Sequence, residues 1–318
     1  MKVEAFLETG LFGLAEGSIY ERLRRHPAIT FDPFLAHASL IYDPKAASLL
    51  EQVHRGYLDV GQSHALPMFA LTDTWRANQE RIDHSQFKRA SVNQDNARFL
   101  IQLRDSYGPQ AQPIFVGGNI GPRGDAYNPA EALAPVEAER FHTPQLEALV
   151  EGGVDFLYAS TLPAFSEAQG IAAAMAKTGR PFWLSFVIRP DGTLLDGTRL
   201  EYAIEVLDAG ARPPLGYAVN CVHPRVFQAG MRALGKRKAA AVKQIQIYQT
   251  NTSEKSPQEL DGMEELETVE PETLAELMVQ CHQEFGTVFM GGCCGTDTRH
   301  IQSLARQHKK LCSGVPGQ

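Results

Sequence analysis

A chain of 318 residues, 43% hydrophobic and 21% charged, can bury one large core or two ordinary ones. Its net charge of −7 and pI of about 5.8, with no concentrated Lys/Arg stripe, exclude nucleic acid and anionic membrane as the main partners. No apolar run reaches the roughly eighteen residues that a membrane span needs, and no basic segment with a long apolar core opens the chain, so a cytoplasmic, reducing location is expected.

Short apolar runs recur at 12–16, 65–70, 114–119, 155–160, 182–188, 216–221, 244–249 and 287–291. Most are apolar throughout rather than alternating, the pattern of parallel strands covered on both faces. The segments between them are mostly helical in pattern. Thr143-Pro144 is expected to open a helix with Leu146, Leu149 and Val150 inward and Gly152-Gly153 at its end. The tract 232–243 holds five basic residues and reads as a solvated helix face. The polar, acidic stretch 250–271 reads as a long loop over one end of the fold. Pro271 suits a first helical turn, Leu274, Leu277, Met278, Cys281 and Phe285 form one stripe, and Gly286 suits the stop. Thr296 or Asp297 is placed to cap a last helix through Ile301, Leu304 and Ala305. Eight strand–helix units predict an α/β fold, a single (β/α)₈ barrel spanning 1–318. The competing doubly wound sheet is disfavoured because no Gly-rich phosphate turn follows the first strand.

Five cysteines are present, an odd number with two adjacent. Met290-Gly291-Gly292-Cys293-Cys294-Gly295-Thr296 places that pair in a glycine turn at a strand end. Neighbouring side chains of a regular strand diverge, so both sulfurs reach one point only where the backbone turns sharply, as glycine permits. Cys221 ends another apolar run, and in a barrel the ends of strands six and eight share a rim. Three thiolates suit Zn²⁺ and leave one tetrahedral position open. The plainer alternative is three buried thiols. Cys281 lies on a core stripe, Cys312 is expected to be inert, and His223, two residues from Cys221, is expected to be near the metal without ligating it. A trithiolate zinc site is too electron-rich for hydrolysis by zinc-hydroxide. It suits a substrate thiol held as thiolate for attack on carbon. The natural reaction is alkyl transfer to sulfur from a sulfonium or quaternary ammonium donor, with Trp75, Tyr217 or Tyr248 as candidate faces for the cation.

These motifs resemble the homocysteine S-methyltransferase family, which includes betaine-dependent and S-methylmethionine-dependent enzymes. Gly291-Gly292-Cys293-Cys294-Gly295-Thr296 resembles that family's C-terminal zinc motif, and Val219-Asn220-Cys221 its first-cysteine motif. His54-Arg55-Gly56-Tyr57-Leu58-Asp59-Val60-Gly61, Thr72-Asp73-Thr74-Trp75 and Gly117-Gly118-Asn119-Ile120-Gly121-Pro122 are similar at lower specificity. The resemblance implies a (β/α)₈ barrel, Zn²⁺ on Cys221, Cys293 and Cys294, and substrate contacts from Glu16, Gly17, Thr72, Thr74, Ser160 and Asn220. It also implies methyl transfer to a small thiol, homocysteine, giving methionine. Two positions depart from the pattern. Glu16-Gly17-Ser18 stands where the family has Asp-Gly-Gly, and Ala159-Ser160-Thr161 where it has a Glu. Since those acids hold the amino group of homocysteine in the family, the alternatives are another thiol acceptor, or a zinc-binding barrel without turnover.

Overall fold

Strands that are apolar on both faces need cover on both, and the chain supplies it by alternating strand with helix. The computed structural model describes residues 1–253 and 269–314. Its strands are β1 (Gly13–Ala15), β2 (Met68–Leu71), β3 (Ile114–Ile120), β4 (Phe156–Leu162), β5 (Phe182–Phe186), β6 (Gly216–Val222), β7 (Ile245–Thr250) and β8 (Phe289–Gly292). They pair in parallel in sequence order, and Gly13 opposite Phe289 closes the ring, as expected for a (β/α)₈ barrel. A short helix, α1 (Val3–Glu8), precedes the first strand. The longer helices are α2 (Pro44–His64), α3 (Val92–Asp105), α4 (Pro135–Glu151), α5 (Phe165–Thr178), α6 (Leu200–Asp208), α7 (Pro224–Arg237), α8 (Pro271–Phe285) and α9 (Thr298–Ser313). None of the described helices is long and apolar enough to cross a membrane.

The core has two shells. Inside the barrel, Phe69, Phe115, Phe156, Trp183 and Phe289 fill the N-terminal half, and Phe6 of α1 packs against Phe115 and Phe289 from below. Outside it, the opposite faces of the strands meet the helices in one continuous apolar layer. The open end is therefore the C-terminal rim, where barrel loops carry function.

Local expectations meet mixed outcomes. The fourth helix starts at Pro135 rather than Thr143. Pro135 occupies the first turn, where a missing N–H costs nothing, and Pro144 is carried inside while the Thr143 hydroxyl donates to the Glu139 carbonyl (2.7 Å). The first half of this helix buries His142 rather than an apolar stripe, which hid it from periodicity. His142 Nε2 lies 2.9 Å from Glu167 Oε1 on α5, both side chains fully buried. The second strand begins at Met68 because Ala65 closes α2 in the left-handed region (φ 55°) and Leu66 N–H returns to Gly61 O. Asp297 caps α9 and Thr296 does not; its hydroxyl bonds Cys293 O instead. The basic tract is a solvated face, with Arg232 paired to Glu284 and Arg237 to Glu201. Most of the expected loop at 250–271 lies outside the described residues.

Candidate metal centre and substrate cavity

The cysteine turn forms because the backbone is pinned from both sides. Gly292 N–H donates to Glu16 O (2.9 Å), Cys293 N–H to Thr250 O (2.5 Å) and Thr252 N–H to Cys294 O (3.2 Å). A Cβ on Gly291 would lie 2.5 Å from Ala15 O, and Gly295 sits at φ +84° against Thr252, so both glycines are required for the approach. The turn brings Cys293 and Cys294 toward Cys221 at the end of β6. The three sulfurs lie within 4.8 Å of one another. Cys221 to Cys294 is 3.7 Å and Cys293 to Cys294 is 4.0 Å. The edge of a ZnS₄ tetrahedron with Zn–S near 2.3 Å is about 3.8 Å, so the two separations to Cys294 fit one soft divalent ion. Cys221 and Cys293 are joined as a disulfide, with Cα atoms 5.5 Å apart; metal binding requires them reduced, because the ligand is the thiolate. Burial, with Glu21 nearby, pushes the Cys294 thiol up to about 12. His223 does not join the set; its Nδ1 accepts from Arg225 N–H at the start of α7. Cys281 is buried on α8 and Cys312 is exposed.

Above the sulfurs lies a cavity of about 150 Å³, reached by Glu16, Gly17, Thr72, Ser160, Asn220 and all three cysteines. Glu16 follows β1 and is 6% exposed. Its Oε1 accepts from Leu71 N–H (3.2 Å), and its Oε2 lies 3.8 Å from His54 Nδ1. Burial pushes its carboxyl up to about 8, against the opposing pull of His54 and with a further push from Asp73. His54 Nε2 bonds Asp73 Oδ2 (2.9 Å), and Asp73 Oδ1 lies 3.5 Å from His37 Nε2. A buried row thus runs Glu16, His54, Asp73, His37; Glu16, Asp73 and His37 line the cavity, and His54 joins them from behind. Burial holds the His37 imidazole below its ordinary value. Burial also opposes the charge on His54, but Asp73 and Glu16 together hold it above its ordinary value. Sequence reading named Glu16 but missed the row, because its members come from the turns after β1 and β2, the 37–42 turn and α2. The available signal was His54 inside the His54–Gly61 segment.

The other expected contacts divide. Gly17 packs under the Tyr57 ring, so close that a Cβ there would lie 2.9 Å from ring atoms, while Tyr57 OH donates to Ser18 O. Thr72 and Thr74 bond each other (2.7 Å); Thr74 also donates to Asn119 O, and Thr72 accepts from Asn119 N–H. Thr74 is fully buried in this β2–β3 clasp and is not part of the cavity wall. Ser160 Oγ donates to Asn119 Oδ1 (2.8 Å). The Asn220 carboxamide is occupied by Thr161 and Ser185. Of the three aromatic candidates only Trp75 reaches the cavity, where Tyr20 and Tyr127 join it. Tyr217 and Tyr248 point the other way: Tyr217 OH donates to Asp208, and Tyr248 stacks on Phe227. Both strand faces are apolar, so pattern alone left their direction open. Arg76 lies over Trp75, 4.1 Å from the ring centre, and donates to Gly124 O (2.6 Å), tying the loop after β3 to the rim.

The chain is 25% identical to homocysteine S-methyltransferase from Escherichia coli (strain K12), over 92% of this chain and 93% of that protein. It is 24% identical to homocysteine S-methyltransferase YbgG of Bacillus subtilis (97% and 98%) and 22% identical to a selenocysteine Se-methyltransferase of Brassica oleracea var. italica (98% and 92%). Among solved structures, the metallated form of the homocysteine methyltransferase MmuM from Escherichia coli has the same fold, with TM-score 0.75 at 22% identity over 95% of this chain and 98% of that one. The homocysteine S-methyltransferase family model matches residues 14–308, from β1 through most of α9, and the chain belongs to the homocysteine S-methyltransferase family.

Proposed function

We propose that this S-methyltransferase moves a methyl group from a small sulfonium or quaternary ammonium donor to the thiol of homocysteine, giving methionine, with Cys221, Cys293 and Cys294 as ligands of a catalytic Zn²⁺. The observation that carries the reading is the convergence of three sulfurs at the floor of a cavity whose wall holds Glu16. Reduced, they supply three of the four donors that zinc takes in closed structural sites, the set expected of a catalytic centre. Bound there, the ion would keep a substrate sulfur deprotonated while the three cysteine thiolates keep it electron-rich.

The remaining roles belong to the chain. Glu16 accepts the ammonium group of the acceptor and so turns its sulfur toward the floor. Thr72 and the Gly17 backbone flank the same wall. Trp75, Tyr20 and Tyr127 face a cationic donor above, where aromatic faces favour positive charge by about 0.5–2 kcal/mol. Holding donor methyl and acceptor sulfur in line removes the entropy of their meeting.

A second reading is favoured by Ser160. Its hydroxyl is already donated to Asn119, so the end of β4 offers a neutral wall that suits a thiol lacking the amino group. A thiol-by-donor matrix under reducing conditions, read by mass spectrometry beside metal analysis, tests both. Methionine formation with about one zinc per chain is the expected result. Product from another thiol alone selects the second reading, and no thioether from any pair refutes both.

A further inference from the structure

Strand alternation alone would aim Cys221 away from the site. Along β6, Ala218 faces the barrel interior and Val219 the outer layer, so Asn220 points inward and Cys221 should point outward. It does not, because the strand breaks register between Asn220 and Val222, with Cys221 at φ 58°. The same device recurs on β4. Tyr158 faces inward and Ala159 outward; register shifts between Ala159 and Leu162, and Thr161 sits at φ 62°. A β-branched residue in the left-handed region is an outlier that surrounding contacts must hold in place. Bulges beside active sites re-aim side chains, and both re-aimed residues reach the cavity.

One side chain joins the two bulges. Asn220 Oδ1 accepts from Thr161 N–H (2.9 Å) and Ser185 Oγ (2.7 Å), and its Nδ2 donates to Thr161 Oγ1 (2.8 Å). Asn220 is 3% exposed and Thr161 5%. We infer that Asn220 is a positioning residue rather than a substrate contact: its bidentate grip on Thr161 holds the paired bulges of β4 and β6 and so fixes the aim of the Cys221 sulfur. The inference rests on the cysteine cluster being the metal centre proposed above, but the aim of Cys221 is also readable without metal.

The test uses reduced full-length protein carrying Asn220→Ala, and Thr161→Val as the milder variant that keeps the β-branched shape and loses only the hydroxyl. Zinc affinity is measured by chelator competition. In metal-free protein, closure of the Cys221–Cys293 disulfide by diamide is followed by peptide mass mapping; the two thiols lose two protons and two electrons, and diamide becomes the hydrazine. The expected result is zinc binding about 10–100-fold weaker in Asn220→Ala, the range for lost outer-sphere support. A smaller loss in Thr161→Val and several-fold slower closure in both accompany it. Unchanged affinity and closure, or a lowered melting temperature alone, overturns the inference. If wild-type protein binds no zinc, the proposed function fails, and the closure rates decide this point by themselves. If Asn220→Ala does not fold, Thr161→Val and Ser185→Ala carry the test.

Discussion

Replacing Glu16 with Gln should strengthen the barrel in alkali while removing the grip on an ammonium group proposed above. Folding takes the Glu16 carboxyl from its ordinary 4.5 to about 8, so between those limits the folded state binds a proton that the unfolded state has lost. Stability then falls as pH rises through this window. The slope is about 1.4 kcal/mol per pH unit, which over the interval from 4.5 to about 8 gives about 5 kcal/mol. His54 acts in the same direction above its ordinary value, because Asp73 and Glu16 hold its proton in the folded state. Gln keeps an oxygen to accept the Leu71 N–H and carries no charge to bury. Urea unfolding of metal-free, reduced protein from pH 5 to 9 should show wild type losing several kcal/mol relative to Glu16→Gln, the two being closest near pH 5. Parallel curves for the two proteins would refute the burial argument. A collapse of Glu16→Gln at every pH would show instead that the carboxylate itself holds β1 to β2.

Three further substitutions address separate parts of the site. Gly291→Ala drives a methyl against Ala15 O and Glu16 O, 2.5 and 2.6 Å from the added carbon; backbone cannot swing aside, so a loss of about 1–3 kcal/mol in urea unfolding is expected. Trp75→Leu should raise KM for the cationic donor several-fold and leave KM for the thiol unchanged, as initial rates would show. Ser160→Glu adds a carboxylate beside Asn119 and should favour ammonium-bearing thiols over their des-amino analogues by about 10–100-fold in kcat/KM, matching about 1.5–3 kcal/mol for a hydrogen bond to a charged group.

The barrel was legible because most strands are apolar on both faces and most segments between them are helical in pattern, so the alternation survives loss of detail. The details that failed are those where chemistry overrides period. Pro144 reads as a helix start, yet the helix extends back through a buried His142 whose only sequence mark is polarity. The convergence of the three cysteines was legible because a cysteine pair in a glycine turn at one strand end and a cysteine at another meet on one rim of a barrel. Glu16 came from resemblance, whereas His54, Asp73 and His37 could be joined to it only by the fold, since α2 and the 37–42 turn bring them from separate parts of the chain. For Asn220, substrate contact and a strand-end role were equally open from sequence, because strand alternation hides a bulge until the register on β7 is known.

The aromatic plug beneath the barrel has a kinetic corollary. With Phe6 set against Phe115 and Phe289 at the far end, the thiol and donor proposed above would share the C-terminal rim as their way in. Under that reaction the thiol, seated deeper, would enter before the donor that rests over it, and the spent donor would leave before the thioether. Turnover should therefore follow a compulsory order, with excess donor blocking the entrance to the empty enzyme.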